Sequence, residues 1–320
     1  MKHEFETNRC FIGIDVAKQE LVIAHSDSPT TLSIANERSA IDQWLGSLPE
    51  ASVIALEATA GGYHELILGM AFARGHPCYL LNPRDIKHYA RGIGQRSKTD
   101  QLDARLIARY VAREHAHLHL WQPMSAQAAQ LHQLLGRRNK LVQAKTALRA
   151  SLQGLQALQG DVATTLHSLQ DLVDKMDRLI AQAVSQLPQG QQHSQRLQQV
   201  PGIGLLNAAM LTNLFLRVPF AKSDAVVAFA GLDPRANDSG LKRGKRRLSK
   251  RGPAELRRLL YNAAMAARKS PLWRPFYERQ LAKGLPTTAC LVVLARKLLR
   301  VAFSLFKHQT DFDPKLINIA

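Results

Sequence analysis

The chain has 320 residues, 46% of them hydrophobic, and a formal net charge of +18. That length and apolar content provide for two or three domains with buried cores. The sequence offers no run of about 18 apolar residues, which excludes a transmembrane helix, and 1-MKHEFETNRC-10 lacks the apolar core of a signal peptide; Cys10, Cys78 and Cys290, far apart and without a CxxC pair, exclude a disulfide framework or zinc ribbon and fit a reducing cytosol.

In chain order, 10-CFIGIDVA-17 is a short apolar run with β-branched residues, a buried strand ending near Asp15. A second run, 20-ELVIAH-25, follows at hairpin spacing, and 31-TLSIAN-36 makes a third strand. A helical pattern over 37–47 carries Ile41, Trp44, Leu45 and Leu48 on one side. The next buried strand, 52-SVIALEA-58, ends at Glu57. A helix over 62–74, the strand 77-PCYLLN-82, a helix over 84–92 and a helix over 99–114 complete residues 1–123. Three strands followed by alternating helix and strand predict an α/β domain, a mixed sheet flanked by helices.

Residues 124–190 change character. Leu134, Leu141, Leu148 and Leu155 recur every seven residues, and Leu166, Val173, Ile180 and Leu187 do so after a break near Gly160. This spacing predicts two long helices, as an antiparallel coiled-coil hairpin or a pairing between protomers; two helices packed on the main body are the plainer alternative. Residues 191–320 read as a mainly α domain with one irregular interruption, 231-GLDPRANDSGLKRGKRRLSKRGP-253, too rich in Gly, Pro and charge for a regular element. Helices are expected at 222–230, 254–268, 271–283 and 287–307.

The charge is unevenly spread. Residues 1–123 hold 13 Lys and Arg against 14 Asp and Glu, residues 124–230 hold 10 against 5, and residues 231–320 hold 20 against 6. The excess therefore lies in the last third, and a polyanion is the natural partner, nucleic acid ahead of membrane.

Two strands end in carboxylates, Asp15 and Glu57, each costly after an apolar run without a partner. The stretch 98-KTDQLDAR-105 adds Asp100 and Asp103, neighbours on one helix face. Alone, that pair reads as a helix start balanced by Lys98 and Arg105. Four converging carboxylates would instead repel one another and call for a hard divalent cation such as Mg²⁺. Two such ions can hold a phosphodiester and stabilise both attacking and leaving oxygens.

Just before the acidic pair, Arg84, Lys87, His88, Arg91, Arg96 and Lys98 form a basic stretch suited to a nucleic-acid backbone. In 200-VPGIG-204, Gly202 and Gly204 let backbone N–H groups approach a phosphate, as in a helix-hairpin-helix module, or make a plain turn between helices. Ser239 lies in 237-NDSG-240, ahead of Lys242, Arg243, Lys245, Arg246, Arg247, Lys250 and Arg251. Those cations suit a phosphate and offset charge developing on it, while a serine hydroxyl needs its proton removed to attack. By residues alone Ser239 reads first as a turn residue in a basic loop, and Ser249 is a rival nucleophile in the same loop. Arg257, Arg258, Arg268, Lys269, Arg296, Lys297 and Arg300 lie on the later helices, within reach of phosphates or of solvent. His115, His117 and His119 alternate but lack a fourth metal ligand nearby.

The strings 12-IGIDVAK-18, 56-LEATAGGY-63 and 98-KTDQLDAR-105 resemble the RuvC-like domain of the DEDD insertion-sequence transposases, a family that includes the Piv-type DNA invertases. The later strings 200-VPGIG-204, 229-FAGLDPR-235, 238-DSG-240 and 249-SKRGP-253 resemble its C-terminal domain. The resemblance runs from about residue 10 to about residue 305. It implies an RNase-H-like (RuvC-like) N-terminal fold in which Asp15, Glu57, Asp100 and Asp103 bind Mg²⁺. It implies that Ser239 is the nucleophile that becomes covalently linked to a DNA phosphate. It further implies donor and target double-stranded DNA as substrates, a structured bridge RNA as guide, and a homodimer or homotetramer with sites composed from different protomers, in the bacterial cytoplasm at the nucleoid. The expected organisation is a catalytic domain over 1–123, a helical coiled-coil middle over 124–190 and a C-terminal domain over 191–320. The rivals are a site-specific invertase that uses the same chemistry without a guide RNA, a metal-dependent junction nuclease that uses water in place of Ser239, and a nucleic-acid-binding protein without enzymatic activity.

Overall fold

The computed structural model describes residues 9–59, 61–235, 238–239, 244 and 246–316. Lys242, Arg243 and Lys245 of the basic loop lie outside the described residues, as does Gly240. The chain divides into two compact units, residues 1–123 and 124–320.

The first unit is a mixed five-stranded sheet. Its strands are β1 (Phe11–Val16), β2 (Glu20–His25), β3 (Thr31–Ala35), β4 (Val53–Glu57) and β5 (Cys78–Leu81), in the order β3-β2-β1-β4-β5. β1 pairs antiparallel with β2 and β2 with β3, while β1–β4 and β4–β5 are parallel. Strand alternation sends successive side chains to opposite faces. Ile12, Ile14, Ile54 and Leu56 meet α1 (Arg38–Gly46) and α2 (Glu65–Ala73) through Ile41, Trp44, Leu45, Ile67 and Leu68. Val53 and Ala55 face the other way, toward α3 (Pro83–Gly92) and α4 (Asp100–Glu114). The in-between residue of β1 on that face is Gly13. A Cβ there would lie 2.2 Å from the Ala108 backbone nitrogen and 2.3 Å from the Ala104 carbonyl oxygen, so α4 crosses directly over β1. Ala104 and Ala108, one helical turn apart and fully buried, complete that close approach.

Among its described residues the second unit is mainly helical, with a short two-stranded ladder. α5 (Ala126–Ser151) and α6 (Gln159–Ser185) run antiparallel: Arg138 pairs with Asp177, at 2.9 Å for Nη2–Oδ2, and Lys145 donates to the Gln170 side chain. The turn between them is 152–158, and the Gly160 expected to break the helices lies in the first turn of α6. Heptad positions Val173, Ile180 and Leu187 are buried, whereas Leu155 is exposed. The end of the pair near Leu131 and Leu135 packs on α8 (Leu205–Arg217) through Ala209, and Asn213 Nδ2 donates to the Ala128 carbonyl at 2.9 Å.

Around a separate core pack α7 (Gly190–Gln198), α8, α9 (Ser223–Phe229), α10 (Ala254–Ala267), α11 (Arg274–Ala282) and α12 (Thr287–His308). Leu294, Leu298 and Leu299 of α12 and the fully buried Trp273 lie at its centre. The stretch 231–253, expected to be wholly irregular, contains a short antiparallel ladder, β6 (Pro234–Arg235) against β7 (Arg247–Leu248). No helix among the described residues is long and apolar enough to cross a membrane.

Candidate functional site

β1 and β4 are neighbours with Ile14 opposite Leu56, so Asp15 and Glu57 follow one step on, side by side. Both belong to the face that carries Gly13 and Ala55, the face covered by α4. The acids of α4 arrive there by a capping signal. Thr99 is extended, and its hydroxyl accepts the Leu102 N–H at 3.2 Å, which starts the helix at Asp100 and places Asp100 and Asp103 in its first turn. Acidic side chains are favoured at that positive end of a helix.

An open cleft of about 410 Å³ results, whose lining includes Asp15, Glu57 and Asp103 together with Lys87, Arg91, Arg96 and Lys98. Asp100 and Arg84 are exposed and outside this lining. The acids raise one another's proton affinity. Burial pushes the Glu57 carboxyl up to about 7, with Asp103 and Asp15 adding to it and Lys98 opposing. Burial likewise raises Asp15, reinforced by Asp100 and Asp103, and burial raises Asp103 against the opposing pull of Lys98. Lys98 Nζ stands 3.8 Å from Asp103 Oδ2 with its side chain 85% exposed. A solvated ammonium at that distance contributes little. It does not neutralise the cluster, since Glu57 and Asp15 remain displaced upward with it present.

Among the described residues no three His, Cys, Asp or Glu side chains stand close enough to form a ready cation cage. The donor set nevertheless fits a hard divalent ion: it is all carboxylate oxygen, and burial, with the neighbouring acids adding to it, raises the affinity of Asp15, Glu57 and Asp103 for positive charge. His115, one of the alternating histidines, packs against Phe11 with ring centroids 4.8 Å apart.

In the second unit Ser239 is exposed. Its neighbour Asp238 receives Arg246 in a two-pronged pair, at 2.6 Å and 2.8 Å, and the Gly244 N–H at 3.1 Å. Arg246 holds the Asp238 carboxyl below the usual carboxylate range. Ser249, the rival serine, is half-buried and donates its hydroxyl to Asp233. Arg247 opens the exposed part of β7, and Lys250 turns the chain in left-handed conformation at φ 51°. Gly202 has φ 101°, and a Cβ on it would lie 2.6 Å from the Ala263 carbonyl oxygen. Its glycine is thus demanded by packing on α10. Gly204 is exposed at the start of α8. Arg258 pairs with Glu255 and Arg300 with Asp224, which ties these two cations to protein carboxylates.

Two family models match the chain. A DEDD-type transposase model covers residues 12–160, which include all four carboxylates, and a model described as transposase IS116/IS110/IS902 family covers residues 194–278, which include Ser239. The chain belongs to the DEDD insertion-sequence transposase family, which includes the Piv-type invertases. Within that family it is 27% identical to a pilin gene-inverting protein of Moraxella bovis, across 97% of this chain and 99% of the relative. It is 26% identical to the transposase for insertion sequence element IS1111A of Coxiella burnetii, across 94% and 90%. It is 24% identical to the transposase for insertion sequence element IS1328 of Yersinia enterocolitica, across 96% and 99%. The family implies a divalent metal, and the chain is an enzyme of DNA breakage and rejoining.

Sequence reasoning passed over the ties made by Asp233 and Asp238. Both are single carboxylates in a basic loop, and only the pairing of β6 with β7 brings Asp233 to Ser249.

Proposed function

We propose that the chain is a Mg²⁺-dependent DNA recombinase that breaks and rejoins strands through a phosphoserine link at Ser239. The observation that carries this reading is the meeting of Asp15 and Glu57, at the ends of two adjacent parallel strands, with Asp103 from the start of α4 in a cleft rimmed by lysine and arginine. The strand order and these strand-end acids also support an RNase-H-like (RuvC-like) assignment for residues 1–123. Asp15, Glu57, Asp100 and Asp103 would hold Mg²⁺, which supplies charge neutralisation at a phosphodiester when bound. Lys87, Arg91, Arg96 and Lys98 hold the strand's phosphates along the cleft, with Arg84 further out. In the reaction the Ser239 oxygen forms a bond to phosphorus. The bond from phosphorus to one deoxyribose oxygen breaks, the serine proton leaves, and the sugar departs as a hydroxyl. Arg247, Lys250 and Arg251 offset the charge on that phosphate.

The substrates are donor and target duplexes, the working form is a homodimer or homotetramer, and a structured bridge RNA guides the choice of site. The similarity to the pilin gene-inverting protein of Moraxella bovis favours a second reading, inversion without a guide. RNA recovered with the purified protein decides between them: a defined species of a few hundred nucleotides or less supports the guided reaction, and its absence from active protein supports the unguided one. Replacement of Ser239 by Ala tests the chemistry common to both. It should abolish recombination and the covalent adduct, and an adduct that persists removes Ser239 from its role.

A further inference from the structure

The loop that carries Ser239 leaves the second unit at β6 and returns at β7, and two carboxylates bind across it. At the neck, the Asp233 carbonyl accepts the Ser249 N–H at 3.0 Å while the Asp233 carboxylate accepts the Ser249 hydroxyl. One step below, the Gly231 carbonyl accepts the Lys250 N–H at 3.1 Å. The two chain segments approach so closely that a Cβ on Gly231 would lie 2.7 Å from the Arg251 nitrogen, and one on Gly252 would lie 1.7 Å from the Phe229 carbonyl oxygen. Arg257 of α10 fastens the same neck by donating to the carbonyls of Ala230 and Gly252. Further out, Asp238 grips the Arg246 guanidinium with both oxygens, and Ser239 is the next residue.

Two facts separate these contacts from ordinary surface pairing. The Asp238–Arg246 pair is bidentate and Asp238 also takes a backbone N–H, which fixes geometry as a single-point pair does not. The Ser249 hydroxyl is spent on Asp233, so the serine nearer the core is engaged while Ser239 is exposed. We propose, on the basis of the phosphoserine reading above, that Asp233 and Asp238 are positioning residues for Ser239. Each ties one side of the basic loop to the other, and Arg246 serves the loop instead of a DNA phosphate.

The test is single-turnover adduct formation at saturating DNA, with DNA affinity measured across salt on the same proteins. Asp233→Asn and Asp238→Asn should slow adduct formation at least about tenfold, because misplacing a reacting group by about 1 Å costs up to a hundredfold. Their affinity for DNA should stay within about twofold, since base-independent binding rests on phosphate contacts elsewhere. Ser249→Thr, which keeps the hydroxyl, should react near the wild-type rate where Ser249→Ala does not. Arg246→Ala should slow the adduct and leave the slope of log affinity against log salt unchanged, whereas loss of a phosphate contact lowers it by about 0.9. A wild-type chain that forms an adduct at Ser239, with both Asn variants matching its rate, overturns the positioning role alone. A slope lowered in Arg246→Ala overturns the assignment of Arg246. A wild-type chain that forms no adduct, or forms it at Ser249, overturns both this inference and the reading beneath it.

Discussion

At the residue scale, Asp15, Glu57 and Asp103 are shaped by what they lack. Each sits at a strand end or a helix start where burial raises its carboxyl; around Asp15 and Glu57 other carboxylates outweigh Lys98, and at Asp103 the exposed Lys98 opposes burial without cancelling it. Neutralising one acid should therefore remove metal-dependent strand cleavage and spare nucleic-acid binding. A ligand to a catalytic ion accounts for several kcal/mol of charge stabilisation, about a hundredfold or more in rate. Cleavage assays on Asp15→Asn and Asp103→Asn should show that loss. Asp100→Asn, whose carboxylate lies outside the cleft, should lose less. If Asp103→Asn cleaves as wild type does, the acids are structural. Glu57 supplies a pH signature. Its folded value near 7 lies above its ordinary 4.5, so its contribution to stability is fully present below about pH 4.5 and is lost as the pH rises through about 7. Metal-free protein should melt lower at pH 8 than at pH 5. Glu57→Gln should raise the melting temperature at pH 8 and change it little at pH 5, and an equal effect at both would show that Glu57 is not the group responsible. Asp15 and Glu57 were legible as strand-end carboxylates, and Asp100 and Asp103 as a helical pair. Their convergence could only be expected, and that Asp103 enters the cleft while Asp100 stays outside its lining was not legible, because it depends on strand register and on how α4 crosses the sheet.

At the element scale, the crossing of α4 over β1 is what brings Asp103 to Asp15. It requires Gly13 beneath Ala104 and Ala108. Gly13→Ala places a methyl group against backbone atoms that have no rotamer to yield. Overpacking of this kind costs about 1–3 kcal/mol and occasionally more, and here the atoms displaced are main chain, so the upper end applies. Urea unfolding should register it as a lowered midpoint, and cleavage should fall with it as α4 is pushed from the sheet. A Gly13→Ala protein with wild-type stability would mean that α4 does not seat there. The elements of the first unit followed their patterns closely, since a sheet covered on both faces leaves apolar runs that read plainly in sequence. The α5–α6 turn did not: heptads continue through 148 and 155 while the chain bends at 152–158, and the leucines there are half-buried or exposed. The β6–β7 ladder was also unread, as two-residue strands among Gly, Pro and arginine carry no periodicity.

At the scale of the whole molecule, charge divides the work. Residues 1–123 are nearly balanced at 13 cations to 14 anions, and residues 231–320 carry 20 to 6. Binding to DNA should therefore weaken steeply with salt, and Arg247→Ala should reduce the slope of log affinity against log salt by about 0.9 for every duplex alike. An unchanged slope would remove Arg247 from the phosphate-binding surface. The basic bias was visible in composition, but it did not reveal that Arg246, Arg258 and Arg300 are occupied by Asp238, Glu255 and Asp224. Folding thus reserves some of the apparent surplus for internal ties. The proposed function turns on one step, attack by Ser239 on a phosphodiester. The most direct measurement is to trap the protein on end-labelled donor DNA with Mg²⁺, digest the adduct and locate the phosphorylated residue by mass spectrometry. The account predicts a phosphate on Ser239, no adduct from Ser239→Ala and none from Asp15→Asn. A phosphate on another residue, or strand cleavage that continues in Ser239→Ala, would contradict it.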